Sequence, residues 1–283
     1  MNRLTIAIPT FRRPQHLKRA VRGVLEQAGE LVGGLSAEAR EPEGDAAGAA
    51  DGDGGAGRGV SDVEVLVIDN DAQGTGREAA LAAAADAGVP VRSSAEGSDE
   101  PDAVGLRYVV EERPGVAAVR NRALDETGGR DLLVFIDDDE EPEPGWLAAL
   151  VGLWASTGCQ AVAGPVIPVY EVEPEAWVRQ GEFFVRRTWP TGTVRPVAAS
   201  NCLLLDLGFV RRAGLRFDEA FGATGGEDTL FTRRLSAAGG VIRWVLPQQW
   251  AGMLAVRRRW FDVLLMLGAG AVIWLVALVV PPQ

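Results

Sequence analysis

Four short apolar runs, each stopping abruptly in polar or acidic residues, punctuate the first half of the chain: Leu4–Pro9 (LTIAIP), Val63–Ile68 (VEVLVI), Leu106–Val110 (LRYVV) and Leu132–Ile136 (LLVFI). Runs of this length, rich in Val, Ile and Leu, are the pattern of strands buried on both faces of a parallel sheet. Helix-like segments separate them. Gln15–Gln27 carries Leu17, Ala20, Val21, Val24 and Leu25 on one face, and Arg77–Ala87 and Val116–Glu126 have helical character. Strand and helix in alternation predict an α/β fold, a Rossmann-like and mostly parallel sheet flanked by helices. Ligands of such sheets bind beyond the carboxyl ends of the strands. The residues just after each run are therefore the ones to inspect.

The fourth run ends in three aspartates and two glutamates, LLVFIDDDEE. Like charges a few ångströms apart repel, and a divalent cation removes that cost; oxygen-only ligands suit Mg²⁺ or Mn²⁺. Asp137 and Asp139 alternate around Asp138, so two carboxylates can aim at one cation while the middle one points elsewhere. A solvated acidic loop is the plainer alternative. After the other runs stand Thr10, Phe11 and Arg12, then Asp69, Asn70 and Asp71, then Glu112–Gly115. Asp69 can accept from a nucleobase N–H, and the Pro9–Thr10 turn can meet base or ribose. Gly115 lets backbone approach a ligand, and Arg120 and Asn121 can reach a phosphate or ribose. Together these describe a nucleoside diphosphate held by a metal. Far downstream, GGEDTLF places Glu227 and Asp228 at a helix start, where capping explains them as well as general-base catalysis does.

The net charge of −11 argues against a nucleic-acid partner. Cys159 and Cys202 lack metal-type spacing and read as two buried thiols rather than a disulfide. Gly29–Val60, rich in Gly, Ala and acid without apolar period, reads as a disordered insertion. Val89–Val91 is a candidate short strand, and Ser93–Ala103 a loop. Ala161–Pro165 and Ala199–Leu205 are further candidate strands, and Glu227–Leu235 a helix. The first ten residues open directly into a strand rather than a secretory leader, and the expectation from that pattern is a cytoplasmic location. Trp260–Val280 carries one charge, Asp262, and follows Arg257–Arg259, so it reads as a single span or a surface-docked segment at the inner face of the cell membrane. The division is residues 1–255 as the main domain and 256–283 as a basic, hydrophobic tail.

IPTFRRPQHL, VIDND, PGVAAVRNRAL, FIDDDEEPEPGW and FGATGGEDTLFTRRL follow one another in the order and rough spacing of the inverting family 2 glycosyltransferases of GT-A fold, and the chain resembles that family from Leu4 to Leu235. The resemblance implies that Thr10, Arg12 and Asp69 line the base and ribose pocket, and that Arg120 and Asn121 run under the donor. It implies Asp137 and Asp139 as ligands of Mg²⁺ or Mn²⁺, with Asp138 beside the ribose or sugar. Asp228 matches the catalytic base, Glu227 its acceptor-holding neighbour, and Asn201 a position near acceptor and donor sugar. Trp146 matches a family tryptophan, although core packing accounts for it better. Many relatives carry a histidine after the Glu-Asp helix that completes the metal shell. The only histidine here is His16, in the first helix.

These expectations add up to transfer of a sugar, with inversion, from a nucleotide-diphosphate donor to a hydroxyl acceptor. A lipid-linked glycan is compatible with the hydrophobic tail. Two other readings stay open: a sugar-nucleotide nucleotidyltransferase, weakened by the absence of a glycine-rich opening loop, and a non-catalytic scaffold with a degenerate site.

Overall fold

The computed structural model describes residues 2–38, 59–93, 103–170, 172–181, 186–221, 225–246 and 256–259. Its first half is β1 (Asn2–Thr10), α1 (Pro14–Glu38), β2 (Val60–Asp69), α2 (Arg77–Asp86), β3 (Ala103–Val110), α3 (Val116–Glu126) and β4 (Leu132–Ile136). The four strands run parallel in the order β3-β2-β1-β4. Alternate residues of each strand feed two separate cores. Ile6, Val65 and Val134 pack with Leu17, Val21 and Val24 of α1, while Ala7, Leu66 and Phe135 pack with Ala117, Val119 and Ala123 of α3. Because both faces are covered, these strands read as unbroken apolar runs.

The second half contributes β5 (Glu140–Glu141), α4 (Trp146–Thr157), β6 (Ala161–Ala163), β7 (Val166–Val169), α5 (Ala176–Gln180), β8 (Val194–Arg195), β9 (Cys202–Asp206), α6 (Leu207–Arg212), α7 (Glu227–Ala237), β10 (Ile242–Trp244) and β11 (Val256–Arg259). The large sheet continues as β9-β6-β10-β8 beyond β4, with β9 antiparallel to both β4 and β6. That antiparallel insertion positions the site, because Ile136 at the end of β4 faces Cys202 at the start of β9. A smaller sheet has β11 at its centre, antiparallel to β5 and parallel to β7.

Three expectations need correction. The segment assigned to disorder begins as helix: α1 continues through Gly29–Glu38, since Leu25, Ala28 and Val32 extend its buried face by another two turns. Residues 39–58 lie outside the described residues. The candidate strand at Val89–Val91 reduces to a single bridge between Val91 and Leu106. The tail does not separate from the domain at residue 256, because β11 is the middle strand of the small sheet. Among the described residues no helix is long and apolar enough to cross a membrane, and Trp260–Val280 falls outside them. Cys159 and Cys202 are buried and unlinked, and the indole N–H of Trp146, itself in the core, donates to Cys202 Sγ at 3.3 Å.

At the opposite end of the sheet from the acidic motif lies a buried charge network. Arg130 ion-pairs with Asp62 and lies 3.5 Å from Glu64, and Arg107 contacts Glu64 at 3.0 Å as well as Glu126. Asp62 and Glu64 sit on the α3 side of β2, where an apolar residue would continue the core. Removing one member strands a charge in a poorly solvated place, which costs about 3–5 kcal/mol. Arg130→Met is therefore expected to lose about 3–5 kcal/mol in urea denaturation; a loss below about 1 kcal/mol would show the network to be solvated.

Candidate active site

Parallel register gathers the strand ends. Thr10 pairs with Asp69 across β1 and β2, and Ala7 with Phe135 across β1 and β4, so the acidic motif starts beside Thr10 at the carboxyl edge. The Thr10 hydroxyl donates to Asp138 Oδ2 at 2.7 Å. Arg13 Nη1 lies 3.6 Å from Asp138 Oδ1 and 3.2 Å from Asp139 Oδ2. Burial pushes the Asp138 carboxyl up to about 6; the Thr10 hydrogen bond and Arg13 charge oppose this, and the charges of Asp139 and Asp137 add to it.

The expected metal pair is Asp137 with Asp139, and the ion pairs of this structure place them beside different arginines. Arg13 draws Asp138 and Asp139 together, whereas Asp137 lies 3.9 Å from Arg120 Nη2. The motif is a turn, not an extended strand: the Glu140 N–H returns to the Asp137 carbonyl at 3.2 Å, so strand alternation does not apply. Among the described residues no group of three or more His, Cys, Asp or Glu is arranged to hold a metal. The donor set nevertheless suits a hard cation. Arg13 already stands as a positive charge across two of its carboxylates, and Mg²⁺ needs only one or two carboxylates when diphosphate and water supply the rest. His16 is half-buried on α1.

Arg120 joins this motif to the second one. Buried within α3, it ion-pairs with Glu227 through Nη1 and approaches Asp137 through Nη2. The Phe217 ring lies near its guanidinium, with the centroid 5.8 Å away. Arg120 Nε and Glu227 Oε2 are buried with no hydrogen-bond partner among the described residues. Gly225 (φ 73°) and Gly226 (φ 96°) turn the chain into α7 through left-handed conformations that glycine adopts most readily. The turn leaves Glu227 buried and Asp228 half-exposed. Asp228 accepts the Thr229 N–H at 2.6 Å and the Ser200 N–H at 3.4 Å.

The next residue, Asn201, closes the circuit. Its amide donates to Glu140 Oε1 at 2.8 Å, and Glu140 Oε2 accepts the Asp137 N–H at 3.0 Å. Asp137, Arg120, Glu227, Asp228, Ser200, Asn201 and Glu140 thus form one ring of contacts and chain neighbours. Glu140, fully buried, is the member that sequence reading passed over; its sign is an acid run longer than two metal-binding carboxylates require. Arg13 was also passed over in favour of Arg12. Arg12 has a left-handed backbone (φ 53°) and turns to Asp71 at 3.1 Å, while Arg13, immediately before the first helical proline, faces the acids. The Arg12 hydrogen bond holds the Asp71 carboxyl below its usual range.

Asp69 and Asn121 do structural work in the described contacts. Asp69 is fully buried and accepts from the Asp71 N–H (2.9 Å), the Gly76 N–H (2.7 Å) and the Tyr108 hydroxyl (2.5 Å), so it shapes the loop before α2. Burial, then the Asp69 carboxylate, raise the Tyr108 phenol above its usual range. Asn121 donates to the Phe217 carbonyl and accepts the Phe217 N–H, both at 2.9 Å, and so fixes the segment leading to α7.

A model described as glycosyl transferase family 2 matches residues 56–198, about half of the chain. The chain belongs to that family. The succinoglycan biosynthesis protein ExoM of Rhizobium meliloti (strain 1021) is 34% identical to this family 2 chain over 171 residues, which is 58% of this chain and 53% of ExoM. The match thus spans about half the length of that relative. Among solved structures, S. aureus TarS 1-349 superposes with a TM-score of 0.55 at 12% identity, covering 91% of this chain and 60% of that one. Its complex with UDP-GlcNAc gives 0.56, also at 12% identity, covering 92% and 59%. The family 2 chain thus has the GT-A fold. A second model, described as a protein of unknown function (DUF3017), matches residues 235–279.

Asn121→Ala leaves two backbone groups of Phe217 unpaired in a buried place, at about 1–3 kcal/mol for each group. The expected result is a clear drop in melting temperature with little change in nucleotide affinity measured well below the melt. A large affinity loss without destabilisation would instead return Asn121 to the donor site.

Proposed function

We propose that this family 2 chain is a metal-dependent, inverting glycosyltransferase that moves a sugar from a nucleotide-diphosphate donor to a hydroxyl acceptor in cell-surface polysaccharide or glycolipid synthesis. The observation that carries the reading is the ring around Arg120, which couples the acidic motif after β4 to Asp228 at the start of α7. A leaving diphosphate and an attacking hydroxyl need opposite kinds of help, and the two motifs supply them from separate elements. Support for a nucleotide-sugar donor comes from the likeness in fold to TarS, whose complexes contain UDP-GlcNAc or UDP. Support for polysaccharide synthesis comes from the likeness to ExoM.

In this reading Asp137 and Asp139 would hold Mg²⁺ or Mn²⁺, and the cation when bound would supply Lewis-acid stabilisation of the charge on the diphosphate. Asp228, half-exposed and held by the Thr229 and Ser200 N–H groups, takes the proton of the acceptor hydroxyl as that oxygen attacks the anomeric carbon from the face opposite the diphosphate. Arg120 holds Glu227 in place beside it through their ion pair. Thr10 orients Asp138 toward the donor, and Asn201 sets the acidic turn through Glu140. The intact Glu227–Asp228 pair counts against a scaffold without activity.

The acceptor is proposed to be lipid-linked and met at the inner face of the membrane. Backbone pairing of β11 with Glu140 and Glu141 brings the chain beside the acidic turn just before the uncharged stretch Val263–Val280.

Asp228→Asn is expected to bind a UDP- or GDP-sugar with normal affinity and to lose about 10²–10⁴-fold in turnover; near-normal transfer would remove Asp228 as the base. Asp139→Ala is expected to weaken nucleotide binding in calorimetry with Mn²⁺ and to leave the weaker, chelator-treated binding unchanged. Binding indifferent to both the substitution and the chelator would remove the metal.

A further inference from the structure

The half-exposed Arg13 stands between solvent and two largely buried carboxylates. Its side chain is 47% exposed, against 8% for Asp138 and 11% for Asp139. Its backbone is fixed on both sides. Arg12 before it is tied to Asp71, and the Arg13 carbonyl accepts the Leu17 N–H at 3.0 Å in the first turn of α1. The guanidinium is on a long side chain and free to pivot about that fixed point. Any cation reaching Asp138 and Asp139 from solvent therefore meets a positive charge already seated there.

We propose that Arg13 is the resident counter-cation of the donor site: through its hold on Asp139, one of the two proposed metal ligands, it competes with the divalent cation in the free protein, and it moves onto the diphosphate when metal and nucleotide arrive together. The inference rests on the metal-dependent donor reading above and adds an order of binding to it. The ion pairs support it. Arg120 is shared between Asp137 and Glu227, whereas Arg13 pairs with Asp138 and Asp139, so a divalent cation arriving at those two acids meets Arg13 as its competitor. A diphosphate gives the displaced guanidinium oxygens to bind, for which its planar fork is well suited. Arg120 cannot take this part, because it is buried and committed to Glu227. Arg13 is thus a positioning residue that makes metal binding conditional on donor binding.

The test is Mn²⁺ binding followed by electron paramagnetic resonance, with UDP and GDP each present or absent, for the full chain and for Arg13→Gln and Arg13→Lys. Wild type should bind Mn²⁺ weakly alone and more tightly with the preferred nucleotide. Arg13→Gln should bind Mn²⁺ alone about 3- to 10-fold more tightly, an effect of the size expected for removing a half-exposed competing charge. Its enhancement by nucleotide should fall by about fivefold or more. Arg13→Lys, which keeps the charge but not the planar fork, should bind Mn²⁺ alone about as weakly as wild type and recover only part of the nucleotide enhancement, a split that a merely structural role would not produce. Unchanged or weaker Mn²⁺ binding by Arg13→Gln alone, with nucleotide enhancement intact in wild type, overturns the role of Arg13 and leaves the donor reading standing. Absence of any nucleotide-dependent Mn²⁺ binding in wild type overturns both.

Discussion

Carboxylates crowded at the end of a buried strand can stay ionised only if something nearby compensates them. In this chain three arginines divide that task along the carboxyl edge of the sheet. Arg12 takes Asp71, Arg13 takes Asp138 and Asp139, and Arg120 reaches Asp137 and Glu227. Each comes from a different local circumstance: a left-handed residue after β1, the threshold of α1, and the buried face of α3. The shape of the site follows from these pairings more than from any single acidic residue. Asp138 shows where compensation is incomplete, since burial there outweighs both the Thr10 hydrogen bond and the Arg13 charge.

Much of the fold was legible because its signals are local. A strand covered on both faces must be apolar throughout, so Leu132–Ile136 was read with its observed boundaries, as was the helix Val116–Glu126. The extent of α1 was misjudged because Gly29, Gly33 and Gly34 masked a buried face that Ala28 and Val32 continue. The antiparallel direction of β9 was equally invisible, since direction depends on the path of the whole connection and not on the strand's own residues.

The proximity of the proposed site residues was more legible than the contacts each of them makes. Side-chain type and position after a strand told which residues would gather, and Thr10, Arg120, Asp137–Asp139, Asn201, Glu227 and Asp228 do gather. What each one touches is fixed by partners distant in sequence. Asn121 meets Phe217 across 96 positions, and Asn201 meets Glu140 across 61. Nothing nearby in the sequence announces that Tyr108 and Gly76 both donate to one oxygen of Asp69. A polar residue's chemistry is thus readable early, but its prior engagements are not.

The position of β11 bears on how the molecule is made. Its neighbours β5 and β7 are synthesised about a hundred residues earlier, and neither pairs with the other directly. Until residues 256–259 leave the ribosome, the strand that begins at Glu140 has no partner in its sheet. The parallel half of the sheet can consolidate during translation, because its strands and helices are close in sequence. The border of the acidic turn cannot. Its last backbone support arrives with the segment that immediately precedes the apolar stretch, so completing the pocket's edge and delivering that stretch are consecutive events in the life of the nascent chain.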